Sequence, residues 1–319
     1  MPGEGLSEMR SVKVAIAANI LVTCLKTLVA FSSGSASMMA EAIHSFADTV
    51  NQALVWIGIA RSRIGPSTEF PFGRGQERYA WGLISACGIF FVGAGVTIYH
   101  GVITLLYPHE PLIEKWTFLV LVISFVAEGG SLIVAFIDKK KCDTANLSVL
   151  LEDSAAVIGL LLAAVAILLT RFTGRVYWDA IGSIIVGIIL AVIAVVLIFT
   201  NLEYLIEKAS PDYLQKEARR YLKEMPLVED IKDIRMIVLT PDAHRIRAEV
   251  ELNGYLLIKE MEDSLKEDYE QIENVNDFLQ FCAAFANRIT RTVGSKIDEM
   301  EAQLKKKAPY LKNVDIKPS

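Results

Sequence analysis

Six stretches of about 20 mostly apolar residues crowd into the first 200 positions: 12–31, 37–60, 79–106, 116–137, 144–170 and 177–200. A helix needs about that many to cross the hydrocarbon core of a bilayer. The second is the least apolar, because it carries Glu41, His44, Asp48, Asn51 and Gln52. Without it a long loop rich in Ala, Ile, Leu, Val and Trp would remain, so it is read as a span. Residues 201–319 hold 19 of the 32 Lys and Arg and 23 of the 37 Asp and Glu. That split excludes a single soluble globule, a disordered chain and a fibrous repeat. The pattern predicts a multi-pass α-helical membrane protein of six transmembrane helices, with a tail over 1–11, a membrane domain over 12–205 and a C-terminal α+β domain over 206–319.

Six spans place both ends on one side, and basic residues say which. Loops on the N-terminal side carry Arg10, Lys13, Arg61, Arg63, Arg74, Arg78, Lys139, Lys140 and Lys141; the opposite loops carry Lys115, Arg171 and Arg175. Both termini are therefore expected to face the cytoplasm or its topological equivalent, in a membrane left open. Residues 1–10 show no apolar run ending in a cleavage site, so the first apolar run is expected to stay as an anchor. The net charge of −5 argues against nucleic acid as a partner. Cys24, Cys87, Cys142 and Cys282 lack CxxC spacing, which suggests neither a disulfide framework nor a structural zinc cluster. No Walker loop, nucleophile elbow, dinucleotide fingerprint or HExxH is present, which argues against a primary pump and an intramembrane hydrolase.

In the soluble part, Pro211 and Asp212 open a helix reaching about Lys223, with the acid at the positive helix end. Residues 231–239 and 245–252 read as strands separated by the Thr240-Pro241-Asp242 turn. Residues 261–307 read as helix broken near 274–277, with Lys305, Lys306 and Lys307 at its negative end, and 313–317 as a last short strand.

Ionisable residues inside spans cost about 2.5–3.5 kcal/mol each to insert and normally face a partner or a water path. His44 and Asp48, four apart, share one helix face. An imidazole and a carboxylate are compatible ligands for a zinc-like ion; the alternative is a structural hydrogen bond. Glu152 and Asp153 are adjacent, 100° apart on a helix, so one is expected to face the site and the other a neighbouring helix or water. Asn146 and Val149 share the face of Asp153. Acids on two helices would repel without a cation between them, so metal entry expels protons and proton entry expels metal. Glu128 lines a proton or water path or accepts a hydrogen bond; Glu41, a turn before His44, sits at the mouth of such a path. Lys26 is read as snorkelling from its helix end, and Asp179 as the cap of its own helix. His100, His109 and His244 read as solvated or structural. The basic turn at Phe72-Gly73-Arg74-Gly75 either contacts anionic lipid heads or fixes topology.

The segments GSASMMAEAIHSFADTVNQ, PFGRGQERYAWGLISACGIF and YWDAIGSIIVG resemble the cation diffusion facilitator family, and VLLEDSAAV is most similar to its zinc-transporter-nine branch. The resemblance covers residues 12–205 in order and spacing, and the tail in outline as a cytosolic metallochaperone-like domain. It implies a homodimeric, proton-coupled exporter of divalent cations working by alternating access, with Zn2+ as substrate and no cofactor. Its metal site would take His44, Asp48 and Asp153. Val149 stands where the family often has another ligand, so Glu152, Asn146 or water is left to complete the shell. Glu41, Asn51, Glu128 and Asn146 are candidates for a proton or ion path. The imidazole leans to zinc over manganese. Two alternatives are a transporter of another divalent cation, and a metal-binding receptor that does not translocate.

Overall fold

The computed structural model describes residues 4–112, 115–137 and 144–319, with the backbone alone for 4–18, 135 and 144–146. Lys139, Lys140 and Lys141, used above for orientation, lie outside the described residues. The chain divides into two compact units, Met1–Ile206 and Glu207–Ser319.

The first unit is helical. It contains α1 (Glu4–Ser33), α2 (Ala36–Ser62), α3 (Glu77–Gly88), a π-helical segment (Ile89–Gly95), α4 (Val96–Leu106), α5 (Lys115–Ile137), α6 (Thr144–Thr173) and α7 (Tyr177–Leu205). Among the described residues four stretches are long and apolar enough to cross a membrane: Glu77–Leu106, Lys115–Val134, Leu147–Thr173 and Tyr177–Leu205. The apolar part of α1 is the shorter Asn19–Ser33. Helix α2 is long enough, but the side chains that make it chemically interesting also make it polar. This unit is a helical membrane domain, and its polarity runs inside out. Phe91, Val126 and Phe199 are exposed, whereas Lys26, Glu41, His44, Asn51 and Glu152 are buried. Apolar side chains turned outward over whole helices suit lipid as solvent.

Helix α7 is the hub, packing on α2, α3, α4 and α6. Glycines allow its closest approach. A Cβ on Gly187 would lie 3.1 Å from the Ile98 backbone nitrogen, and one on Gly101 3.1 Å from the Ala180 carbonyl oxygen. Small residues at such crossings let two backbones meet, the usual source of packing energy between helices in lipid.

Asp179 does not cap its own helix. Its carboxylate accepts hydrogen bonds from the Ser35 hydroxyl at 2.8 Å and from the backbone N–H groups of Ala36 at 2.5 Å and Ser37 at 3.1 Å. The Ser37 hydroxyl donates back to the Asp179 carbonyl at 2.9 Å. The acid of α7 therefore caps the N-terminus of α2, where orphan N–H groups and the helix dipole both favour an anion. The preceding turn is closed by Gly34, whose φ of +64° is open to glycine at low cost. The His109 ring sits on the Gly34 carbonyl at 2.8 Å.

The basic turn is also spoken for. Arg61 meets Glu77 at 2.5 Å, Arg74 meets the same acid at 3.1 Å, and Arg74 stacks over Phe70 at 4.1 Å. Two of its cations are thus engaged within the protein, which favours a local structural role over lipid contact for them.

The second unit is a three-stranded sheet with helices. Its elements are α8 (Asp212–Lys223), β1 (Val228–Thr240), β2 (Ala243–Leu252), α9 (Gly254–Lys259), α10 (Glu262–Glu270), α11 (Val275–Lys307) and β3 (Leu311–Pro318). Strands β1 and β2 are antiparallel, while β3 runs parallel to β2 on its other side. The helical crossover between β2 and β3 makes that parallel pairing reachable. Ile246, Ala248 and Val250 alternate inward along β2 and meet Ala218 and Leu222 of α8 and Met300 and Leu304 of α11. Short helix α9, started by the Asn253 side chain accepting from Leu256 N–H, has no counterpart in the sequence reading.

His244, at the start of β2, is buried and its Nδ1 lies 2.8 Å from the Ser210 hydroxyl. Burial lowers its pKa from the ordinary 6.5, against a smaller opposing pull from Asp242. The unfolded chain then binds the proton more readily, so stability rises with pH up to about 6.5 and is level above it. Amides of β2 in the whole chain are expected to lose hydrogen-exchange protection severalfold from pH 7.5 to 5, after correction for intrinsic rates. The loss is expected to be absent in His244→Gln; equal protection at both pH values in the parent chain would contradict this account.

Candidate metal site

The i, i+4 spacing does what helical geometry requires. His44 Nε2 and Asp48 Oδ2 stand 3.4 Å apart on α2, with side chains 1% and 13% exposed. Among the described residues, neither ring nitrogen of His44 has a hydrogen-bond partner, and nor does Asp48 Oδ1. Buried polar atoms are nearly always paired in folded proteins. A buried imidazole with two unpaired nitrogens, one turn from a carboxylate, is a donor set suited to a cation.

The two acids of α6 part company. Glu152 is buried and accepts from the Asn51 amide of α2, and the Ser85 hydroxyl of α3 donates to Asn51 in turn. Glu152 Oε1 is left without a partner among the described residues. Asp153 instead accepts from the Ser131 hydroxyl of α5 at 2.7 Å. So Glu152 is the acid tied to α2, and Asp153 is tied to α5. Asp48 lies within electrostatic reach of Glu152, Glu128 and Asp153.

The predicted ligands are consequently not all brought together. Among the described residues no group of three His, Cys, Asp or Glu side chains stands close enough to hold a metal ion. His44 and Asp48 stand together on α2, and Glu152 and Asp153 are divided between two neighbouring helices. Asn51 takes the position of a positioning residue for Glu152. The side chain of Asn146 lies outside the described residues.

Glu41 and Glu128 are both held by Lys26. The Lys26 ammonium donates to Glu41 at 2.9 Å and to Glu128 at 2.7 Å. Lys26 is completely buried, so it does not snorkel. Sequence reasoning missed Lys26, Ser85 and Ser131 as members of this polar interior. A lysine with no acid on its own helix face was the available signal for the first; the two serines gave none.

Residues 12–206 match the cation efflux transmembrane domain family. The chain is 35% identical over 95% of its length to the "Proton-coupled zinc antiporter SLC30A9, mitochondrial" of Xenopus laevis, covering 58% of that protein. It is 34% identical over 96% of its length to the human protein of the same name, covering 57% of it. It is also 34% identical over 96% of its length to "Metal tolerance protein C4" of Arabidopsis thaliana, covering 72% of that protein. The chain thus spans somewhat more than half the length of the animal relatives.

Proposed function

The chain belongs to the cation diffusion facilitator family, and from that premise we propose that it is a proton-coupled antiporter moving a divalent cation, Zn2+, across a membrane. The observation that carries this reading is the buried His44, whose ring nitrogens have no hydrogen-bond partner among the described residues and whose Nε2 stands 3.4 Å from Asp48 Oδ2. The animal relatives bear the same activity in their names.

In this proposal the ion is held by His44 and Asp48 of α2 and by Asp153 of α6, with Glu152 as the fourth ligand. Glu152 is already linked to α2 through Asn51. Asp153 must give up Ser131 to reach the ion, so binding draws α6 toward α2 and away from α5. Rocking of the helices then exposes the ion to one side or the other. Only deprotonated carboxylates and a neutral imidazole nitrogen bind metal, so ion and protons compete for the same lone pairs. Water-filled passages along Glu41, Asn51, Glu128 and Asn146 would carry those protons or ions to the site.

The six helical rods are proposed to be six spans, with α2 turning Phe46, Val50 and Trp56 outward and its polar side chains inward, both termini on the cytoplasmic side and the second unit cytosolic. A homodimer is proposed as the working form.

Zinc flux into proteoliposomes holding a zinc-sensitive dye tests the activity. Flux is expected to follow an imposed pH gradient and to fall to background in Asp153→Ala. Binding without flux would favour the receptor reading, and manganese flux without zinc flux would overturn the choice of ion.

A further inference from the structure

Lys26, Glu41 and Glu128 form a charge cluster that the proposed ligand set does not use. It joins three helices, α1, α2 and α5, through the two bonds of 2.9 and 2.7 Å given above. The side chains of Lys26 and Glu41 are fully buried, and that of Glu128 is 11% exposed. The second oxygens, Glu41 Oε1 and Glu128 Oε2, have no hydrogen-bond partner among the described residues. On α6, Gly159 lies against Glu41: a Cβ there would come within 2.5 Å of Oε1. Two carboxylates on separate helices therefore converge on one point, with spare oxygens, and a positive charge fills that point.

An ammonium between two carboxylates has the arrangement of a bound cation. It differs from a metal ion in being tethered, monovalent and unable to leave. Formally, two carboxylates against one ammonium leave one negative charge, which a divalent ion would cancel. Metal–oxygen distances of about 2.0–2.2 Å would require each carboxylate to move inward by less than about 1 Å. We propose that Lys26 is a resident cation, occupying an acidic pair that would otherwise take a divalent ion, and so limits the number of ions the membrane unit holds. The all-oxygen character of that pair suits Mn2+ as well as Zn2+. A merely structural lysine would tie the helices together without affecting how many ions bind.

The test counts ions. The whole chain, purified in detergent and stripped with chelator, is loaded with Zn2+ alone or Mn2+ alone. Bound metal per chain is measured by elemental analysis after gel filtration. Lys26→Met is expected to bind one more ion per chain than the parent. Lys26→Met combined with Glu128→Gln is expected to return to the parent count, and Lys26→Arg to stay at it. An unchanged count in a Lys26→Met protein that elutes as folded overturns the proposal. If that variant does not fold, Lys26→Ala, which bonds neither acid and leaves the point between them empty, carries the same comparison. In the parent background Glu128→Gln is expected to leave the count unchanged; a lost ion there also overturns the proposal. The inference takes its choice of test ions from the proposed function, but its premise is the geometry of the Lys26 cluster, and it does not depend on which residues ligate the transported ion. A parent that binds no ion beside a Lys26→Met that binds one would sink the function proposed above and leave this inference standing.

Discussion

Asp48→Ala is expected to lower zinc flux at least about 100-fold, with the protein still folded by gel filtration. The carboxylate contributes one of the few charges that a dry site can offer an ion, and its Oδ1 has no other partner to satisfy. Loss of residues that merely support a metal site already costs about 10–100-fold. Full flux in a folded Asp48→Ala protein would remove Asp48 from the ligand set. Glu152→Gln is the more discriminating companion. The amide keeps a hydrogen-bonding oxygen for Asn51, so the link between α6 and α2 survives while the charge is lost. A weakened apparent affinity for zinc with normal folding would make Glu152 a ligand. Unchanged affinity would make it a structural acid and leave the fourth position to water or Asn146.

Asp179→Ala should destabilise the helical unit by about 3 kcal/mol, summing a lost N-cap and buried donors left unpaired. For a domain of this size that corresponds to a melting temperature lower by roughly 6–12 °C. The effect is large because one carboxylate serves three donors, the Ser35 hydroxyl and the N–H groups of Ala36 and Ser37. Asp179→Asn keeps one acceptor and loses the charge at the positive helix end, so a drop of about half that size is expected. Detergent-solubilised protein followed by intrinsic fluorescence reads both. A melting temperature unchanged by Asp179→Ala would mean that water replaces the cap, and that the α2–α7 contact is held by packing alone.

What was legible in the sequence follows from the range of each interaction. The helices of the first unit were written in runs of apolar residues, and β1 and β2 in alternation around a Pro-Asp turn, because those signals are local. The His44–Asp48 pair was legible for the same reason, since four residues make one helical turn. Parallel pairing of β3 with β2 was not, because it depends on how the intervening helices return the chain. Asp179 read as a cap, correctly in kind, but its partner helix begins 143 residues earlier. Lys26 read as a snorkelling side chain because Glu128 lies 102 positions away. The division between Glu152 and Asp153 was visible as 100° of rotation, yet only the positions of Asn51 and Ser131 decide which acid turns to which helix. The π-helical segment at Ile89–Gly95 gave no sequence signal at all.

The Lys26 cluster also bears on how such a chain is made. On the six-span arrangement, helices reach the bilayer in order of synthesis, and each buried charge is costly until it meets its partner. Helix α1 would bring an ammonium, and α2 a carboxylate that neutralises it at 2.9 Å, so the first two helices are cheapest to insert as a hairpin. Glu128 arrives only with α5, when the ammonium is already engaged, and completes the cluster from a third direction. The membrane domain would then be assembled around its first hairpin, with the late acid acting as the latch that admits α5 to the bundle.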